Sequence, residues 1–310
     1  MVSVGDIKKL REMTGAGMMD CKKALIENNG NIESSCDWLR KKGISQAAKK
    51  GSRIASEGVI AQTINNNVAT ILELNSETDF VAKNENFLEL SQKLLDTIIN
   101  AQDIENVENL TIPNSSNTIN DEITNTIGII GENIKLRRYK KIHNTNGFIA
   151  SYIHSAISEN LGKIGVLISI ECDNINDKTQ HLAKQIAMHI AASKPVSVDQ
   201  TGVPQEDINK EKEIFTEQAK SSGKPDNIIV KMVEGRIRKY YEEVVLLEQA
   251  FVIDGKTKVK DIIAQFSKEN NINFTIKEFV RYELGEGITK QEEDFSAEVN
   301  SMVSNTNSHL

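Results

Sequence analysis

Glu77 and Asp79 stand two residues apart in the stretch NSETDFVAKN at residues 75–84, and two such carboxylates are the first candidates for general acid–base chemistry. That chemistry requires a nucleophile, a histidine or a phosphate cradle nearby, and the stretch offers none. An enzyme assembled from distant residues around Glu77 or Asp79 stays open as an alternative. Residues 14–19, TGAGMM, have the glycines of a phosphate loop. They are followed by Asp20 where a Walker loop would bring Lys and Ser or Thr to the phosphates, so a turn between helices is the simpler reading. GIIGEN at 128–133 is likewise an incomplete dinucleotide fingerprint. His181 and His189 are eight residues apart on one predicted helix, about 12 Å, too far for the two to share one zinc, and Cys172 lies in the preceding strand. They read as helix-face residues. His154 follows the apolar run IASYI, where a partner contact and a solvated turn are both open. No metal and no cofactor are expected from these patterns.

Phe80 poses a different question. VATILEL at 68–74 has the character of a strand, and residues 85–99 carry Phe87, Leu88, Leu94, Leu95 and Ile98 along one side of a helix that Asn84 or Asn86 can cap. Phe80 lies in the connection. It either folds back over the core or stays exposed, and an exposed ring entering a partner's pocket gains roughly 1.5 to 3 kcal/mol.

The elements around this connection fall into several modules. Ser3, with Asp6 three places on, predicts a helix start, TGAG interrupts, a second helix ends near Asn29 and Gly30, and Asn31 caps a third that Gly43 is expected to close. Leu25, Ile32, Trp38 and Leu39 supply a small core, and residues 49–57 read as a helical or extended linker. Two units then begin alike, with GVIA at 58–61 and GFIA at 147–150. Each continues into a second apolar run, VATILEL or KIGVLISIEC, and then a helix, which predicts an internal duplication. Between them lie a solvated loop, IPNSSNTINDE, and a helix running into a basic strand. After Pro195 to Pro204, two charged helical stretches should pair through Ile208, Phe215 and Ala219 against Ile229, Val233 and Ile237, joined by the turn SSGKPD at 221–226. EQAFVID and FTIKEFVRYELG return to the main body, and the last residues, VSNTNSHL, are expected to fray.

The charge of −7 over 310 residues argues against generic coating of nucleic acid, and three scattered cysteines fit a reducing compartment rather than a disulfide framework. The start lacks the apolar core of a signal peptide, and no stretch is apolar for the roughly 20 residues a bilayer requires. A cytoplasmic protein is expected.

The motifs LREMTGAGMMDCKKAL (10–25), LELNSETDFVAKNENF (72–87), IGENIKLRR (130–138), SYIH (151–154), KIGVLI (163–168), HLAKQIAMHIAASKP (181–195) and FVRYELGEGI (279–288), with the long run at 222–252, strongly resemble the bacterial elongation factor Ts family. The resemblance covers essentially the whole chain. It implies an α+β fold: a ubiquitin-associated-like three-helix domain at 1–50, a linker at 51–57, core subdomains at 58–140 and 141–288, and a C-terminal module at 289–310. A protruding helical hairpin is inserted at about 200–240. It also implies a guanine-nucleotide exchange factor that binds elongation factor Tu and is no enzyme. Asp79 and Phe80, flanked by Thr78 and Val81, would enter near the nucleotide and magnesium site of that partner; Arg11, Met18 and Met19 would grip its GTPase domain, and His154 would touch a more distant domain. The asparagine-rich interval around 112–121 departs from the family pattern, so no contact is transferred there. No direct binding of nucleotide, nucleic acid or membrane is expected, and dimerisation is open. An adaptor working through residues 1–50 alone is the second alternative.

Overall fold

The computed structural model describes residues 2–221 and 224–289. Helix α1 (Val4–Thr14) starts on a reciprocal cap: the Ser3 hydroxyl accepts from the Asp6 amide at 3.0 Å, and the Asp6 carboxylate accepts from the Ser3 amide at 3.3 Å. Helices α2 (Met18–Glu27) and α3 (Ile32–Lys50) follow, the latter capped by Asn31. Leu10, Cys21, Ala24 and Leu25 are buried where the three meet, with Ile32, Trp38 and Leu39 at the margin.

Strands β1 (Glu57–Asn65) and β2 (Val68–Ser76) pair antiparallel and lead into α4 (Glu85–Asn100), whose N-cap is Asn84. Helix α5 (Ile119–Ile130) then feeds β3 (Ile134–His143), which pairs with β2. The chain continues with β4 (Gly147–His154), the short β5 (Leu161–Gly162), which joins the first sheet beside β1, and then β6 (Ile164–Cys172) and α6 (Asp177–Ser193), which with β4 repeat the plan in a second unit. Charged helices α7 (Gln205–Lys220) and α8 (Asp226–Val244) come next, then α9 (Val259–Asn270) and β7 (Phe274–Glu283). The strand orders are β3-β2-β1-β5 and β4-β6-β7.

The duplication is visible in the register. Gly58 faces Asn75 and Gly147 faces Glu171; the partner strands shift register at Glu73/Leu74 in one sheet and at Ser169/Ile170 in the other. At both glycines a Cβ would collide with a carbonyl, 2.1 Å from Leu74 O or 2.0 Å from Ile170 O, so the facing strand comes close only because no side chain is there, while the extra residue of each register shift, Arg137 or Lys277, lies on the strand beyond it. The two sheets meet through Ile60, Ala69, Ile71 and Ile142 on one side and Ile149 and Leu167 on the other. α4 and α5 cover the outside of the first sheet, α6 and α9 that of the second.

Three sequence expectations change. Helix α3 passes through Gly43 and ends at Lys50, because it crosses α5 where a Cβ on Gly128 would stand 3.2 Å from the Gly43 Cα, and Ala47 beyond it packs on the main core. Tertiary contact therefore overrides the local stop signal. Helix α9 was not expected from the sequence at all; Val259, Ile262, Ile263 and Phe266 fasten it to the second core. His154 is the last residue of β4, not part of the following loop.

In α7 and α8, Ile208, Ala219, Ile229 and Ile237 are buried and the Arg236 guanidinium lies 6.0 Å from the Phe215 ring centre, matching the expected pairing. Residues 222 and 223 of the expected turn, and the C-terminal module with its tail from 290 onward, lie outside the described residues. Among the described residues no helix is long and apolar enough to cross a membrane.

Candidate partner-binding site

The connection from β2 to α4 holds Phe80 out of the core. Its neighbours Val81 and Ala82 are buried and form one turn of 3-10 helix, so they occupy the apolar space into which Phe80 would otherwise fold. Phe80 is 81% exposed. Asp79 is exposed as well, and among the described residues no hydrogen bond or ion pair engages its carboxylate. The reading of Phe80 as a core side chain is thus excluded.

Around this exposed pair the backbone is braced. Thr78 donates its amide to Glu132 Oε2 at 3.0 Å and its hydroxyl to Glu132 Oε1 at 2.8 Å, while its carbonyl accepts from Ser76 Oγ at 3.0 Å. Glu77 accepts the Asn133 amide at 2.6 Å and pairs with Arg53 at 3.4 Å. Asn133 Nδ2 donates to the Arg53 carbonyl at 2.8 Å, and Lys50 Nζ donates to the Gly131 carbonyl. Glu77 is therefore a structural acceptor, turned to a different task from Asp79, and the two do not form a catalytic pair.

The other candidates occupy separate places. Arg11 lies exposed in the last turn of α1, and Met18 and Met19 lie exposed in the first turn of α2, near exposed Met13 in the sequence. Flexible, polarizable thioethers suit an adaptable contact surface. His154 is exposed at the end of β4, its Nδ1 3.1 Å from the Tyr152 hydroxyl. The structure brings Thr78, Asp79, Phe80 and Val81 together in one loop, and sets Arg11, Met18, Met19 and His154 on other elements.

His189 is no helix-surface residue. It is fully buried, receives the Val252 amide on Nδ1 at 3.1 Å and contacts Gln249 Oε1 through Nε2 at 2.9 Å. Those partners place its proton on Nε2, and burial pushes its pKa below the ordinary 6.5, against a smaller upward pull from Gln249. Among the described residues no three His, Cys, Asp or Glu side chains are grouped to hold a metal. A cleft of about 690 Å³ between α1–α3 and α4–α5 is lined in part by ion pairs, Lys93 with Glu122 at 2.6 Å and Lys42 with Asp20 at 2.5 Å, and Phe80 does not line it.

Sequence reasoning missed the bracing residues Arg53, Glu132 and Asn133. Glu132 and Asn133 stand in the motif IGENIKLRR and Arg53 in the stretch before β1, but the contact of Glu132 to Thr78 closes across 54 positions of sequence.

A family model described as elongation factor TS matches residues 77–286. The chain is 46% identical over 302 residues to a protein named elongation factor Ts from Rhodospirillum centenum, covering 97% of this chain and 98% of that relative. It is also 46% identical to proteins of the same name from Rickettsia bellii, covering 96% of each, and Methylorubrum populi, covering 96% of this chain and 97% of the relative.

Proposed function

This chain belongs to the elongation factor Ts family, and on that premise we propose that it releases GDP from elongation factor Tu by inserting Phe80 and Asp79 beside the nucleotide and magnesium site. The family acts by exchange, not catalysis, so no bond is made or broken by this chain. The observation that carries the reading is an aromatic ring exposed next to an exposed carboxylate on a braced loop. Such a ring is an unfavourable surface group when the protein is alone and a favourable one when a pocket receives it.

The energetics follow from linkage. If the chain binds Tu best when the magnesium site is distorted, it weakens GDP by a given factor, and GDP weakens the chain's binding by the same factor. A hundred-fold coupling corresponds to about 2.7 kcal/mol. Either ligand can then leave the ternary complex, and GTP entry promotes release of the chain.

In this reading Arg11, Met18 and Met19 hold the partner's GTPase domain, His154 touches a further domain, and Thr78 and Val81 fix the ends of the inserted turn. Residues 1–50 act as a ubiquitin-associated-like module and 51–57 as its linker, while 58–140 and 141–288 are the two core subdomains. The helical pair at about 200–240 projects as a hairpin. The setting is the cytoplasm; a second copy of the chain can pair with the first, and neither nucleic acid nor membrane is a partner.

Release of a fluorescent GDP analogue from purified elongation factor Tu, with and without this chain, tests the proposal. Acceleration that saturates with chain concentration is expected. Unchanged release while the two proteins still associate would leave only the adaptor reading.

A further inference from the structure

The two units of the duplication differ at the place where Phe80 stands. From β2 to α4 the connection takes residues 77–84, whereas from β6 to α6 it takes only 173–176. One brace is common to both. Glu77 accepts the amide of Asn133 just before β3 at 2.6 Å, and Asp173 accepts the amide of Asn273 just before β7 at 3.1 Å. This shared bond belongs to the fold. The second brace exists only in the longer loop: Glu132 receives both the amide and the hydroxyl of Thr78, two residues before the exposed ring.

We propose that Glu132 is a positioning residue for exchange, holding Thr78 through both carboxylate oxygens so that Phe80 is presented to the partner already ordered. The inference rests on the reading of Phe80 as the inserted group. Glu132 itself is half-buried and leads out of the α5 terminus, where the Gly131 carbonyl is held by Lys50. Its carboxylate thus hangs from an anchored backbone. Without it, Thr78 loses two hydrogen bonds, water satisfies its two donors without fixing the loop, and the ordering must be supplied when the ring inserts. Because that cost falls on the inserted state, it appears in the release step and not in the stability of the free chain.

The test is stopped-flow release of a fluorescent GDP analogue from elongation factor Tu over a range of chain concentrations, for wild type, Glu132→Ala, Thr78→Val, Thr78→Ser, Phe80→Ala and Phe80→Ala with Glu132→Ala. Glu132→Ala should lower the plateau rate about tenfold, a loss of about 1.4 kcal/mol, with little change in the half-saturating concentration or the melting temperature. Thr78→Val removes the hydroxyl at near-constant volume and should act in the same direction, whereas Thr78→Ser, which keeps it, should retain most of the rate. On the Phe80→Ala background, Glu132→Ala should have little further effect, since it acts through the ring. Amide hydrogen exchange at residues 78–80 of the free chain should quicken in Glu132→Ala. A wild-type plateau in Glu132→Ala beside a depressed one in Phe80→Ala would overturn the positioning role and spare the insertion reading. A full additional loss on the Phe80→Ala background would also overturn it. No acceleration by the wild type would instead strike the exchange reading itself.

Discussion

Gly285 donates its amide to Glu73 Oε1 at 2.8 Å, joining the loop after the last described strand to the centre of the first sheet across 212 positions of sequence. Glu73 is fully buried, and its oxygens also take Arg137 at 3.0 Å, Arg138 at 2.6 Å and Asn75 at 3.1 Å. Arg138 continues to the Glu283 carbonyl at 2.9 Å and lies 4.3 Å from the Tyr282 ring centre. Arg281 carries the chain of charges on to Glu283 and Glu286. The motifs IGENIKLRR and FVRYELGEGI thus meet on one carboxylate, and the two sheets are clasped at that point.

Removing that carboxylate leaves two arginines without their shared counter-charge. Glu73→Ala is expected to cost about 3 kcal/mol, at the lower end for a broken buried pair because both guanidinium groups reach water in part. Urea unfolding followed by circular dichroism measures it. A loss under about 1 kcal/mol would show that the clasp is dispensable for stability.

His189 makes stability depend on acid. Its folded pKa is depressed by burial, so below the ordinary 6.5 the unfolded chain binds a proton that the folded chain refuses. Stability should be level with respect to this group above about pH 7 and fall as pH drops below about 6.5. His189→Gln, which cannot titrate, should narrow its deficit against wild type as pH falls from 7 to 5. A deficit constant over that range in urea titrations would contradict the assignment.

Two helical glycines should respond oppositely to alanine. Gly235 in α8 has open space where a Cβ would go, so Gly235→Ala should stabilise by about 0.8 to 1 kcal/mol through helix propensity. Gly128 meets the Gly43 Cα at the crossing of α5 with α3, and there alanine should destabilise by about 1 kcal/mol as the helices are forced apart. Melting curves of the two variants decide it; equal shifts of the same sign would refute the close crossing.

The sequence made the local parts of this architecture readable and hid those that depend on distant partners. Caps at Ser3, Asn31 and Asn84, the strand pairs and the repeated opening of the two units were legible because each signal lies within a few residues. Gly43 misled because its role is to let α5 approach, which no local pattern announces. Helix α9 carries a regular apolar spacing, from Val259 through Ile262, Ile263 and Phe266, but two more apolar segments flank it and mask that signal. For Phe80 the sequence left core and surface open. Burial of Val81 and Ala82 decided for the surface, and the Glu132 contact that steadies the loop could be seen only once the chain was folded.

The central claim is that Phe80 acts in the release of GDP, and the plateau rate of stopped-flow release at saturating chain tests it most directly. A ring buried only in the partner gains roughly 1.5 to 3 kcal/mol, so Phe80→Ala should lower the plateau roughly ten- to a hundred-fold. Because Phe80 is 81% exposed in the free chain, the melting temperature should stay within a degree or so of wild type, roughly the change expected from a surface substitution. Asp79→Ala should act in the same direction but less, and the double variant should fall short of the sum because both side chains share one insertion. An undiminished plateau, reached only at higher chain concentration, would contradict the claim and reduce Phe80 to an anchor that holds the partner equally before and during release.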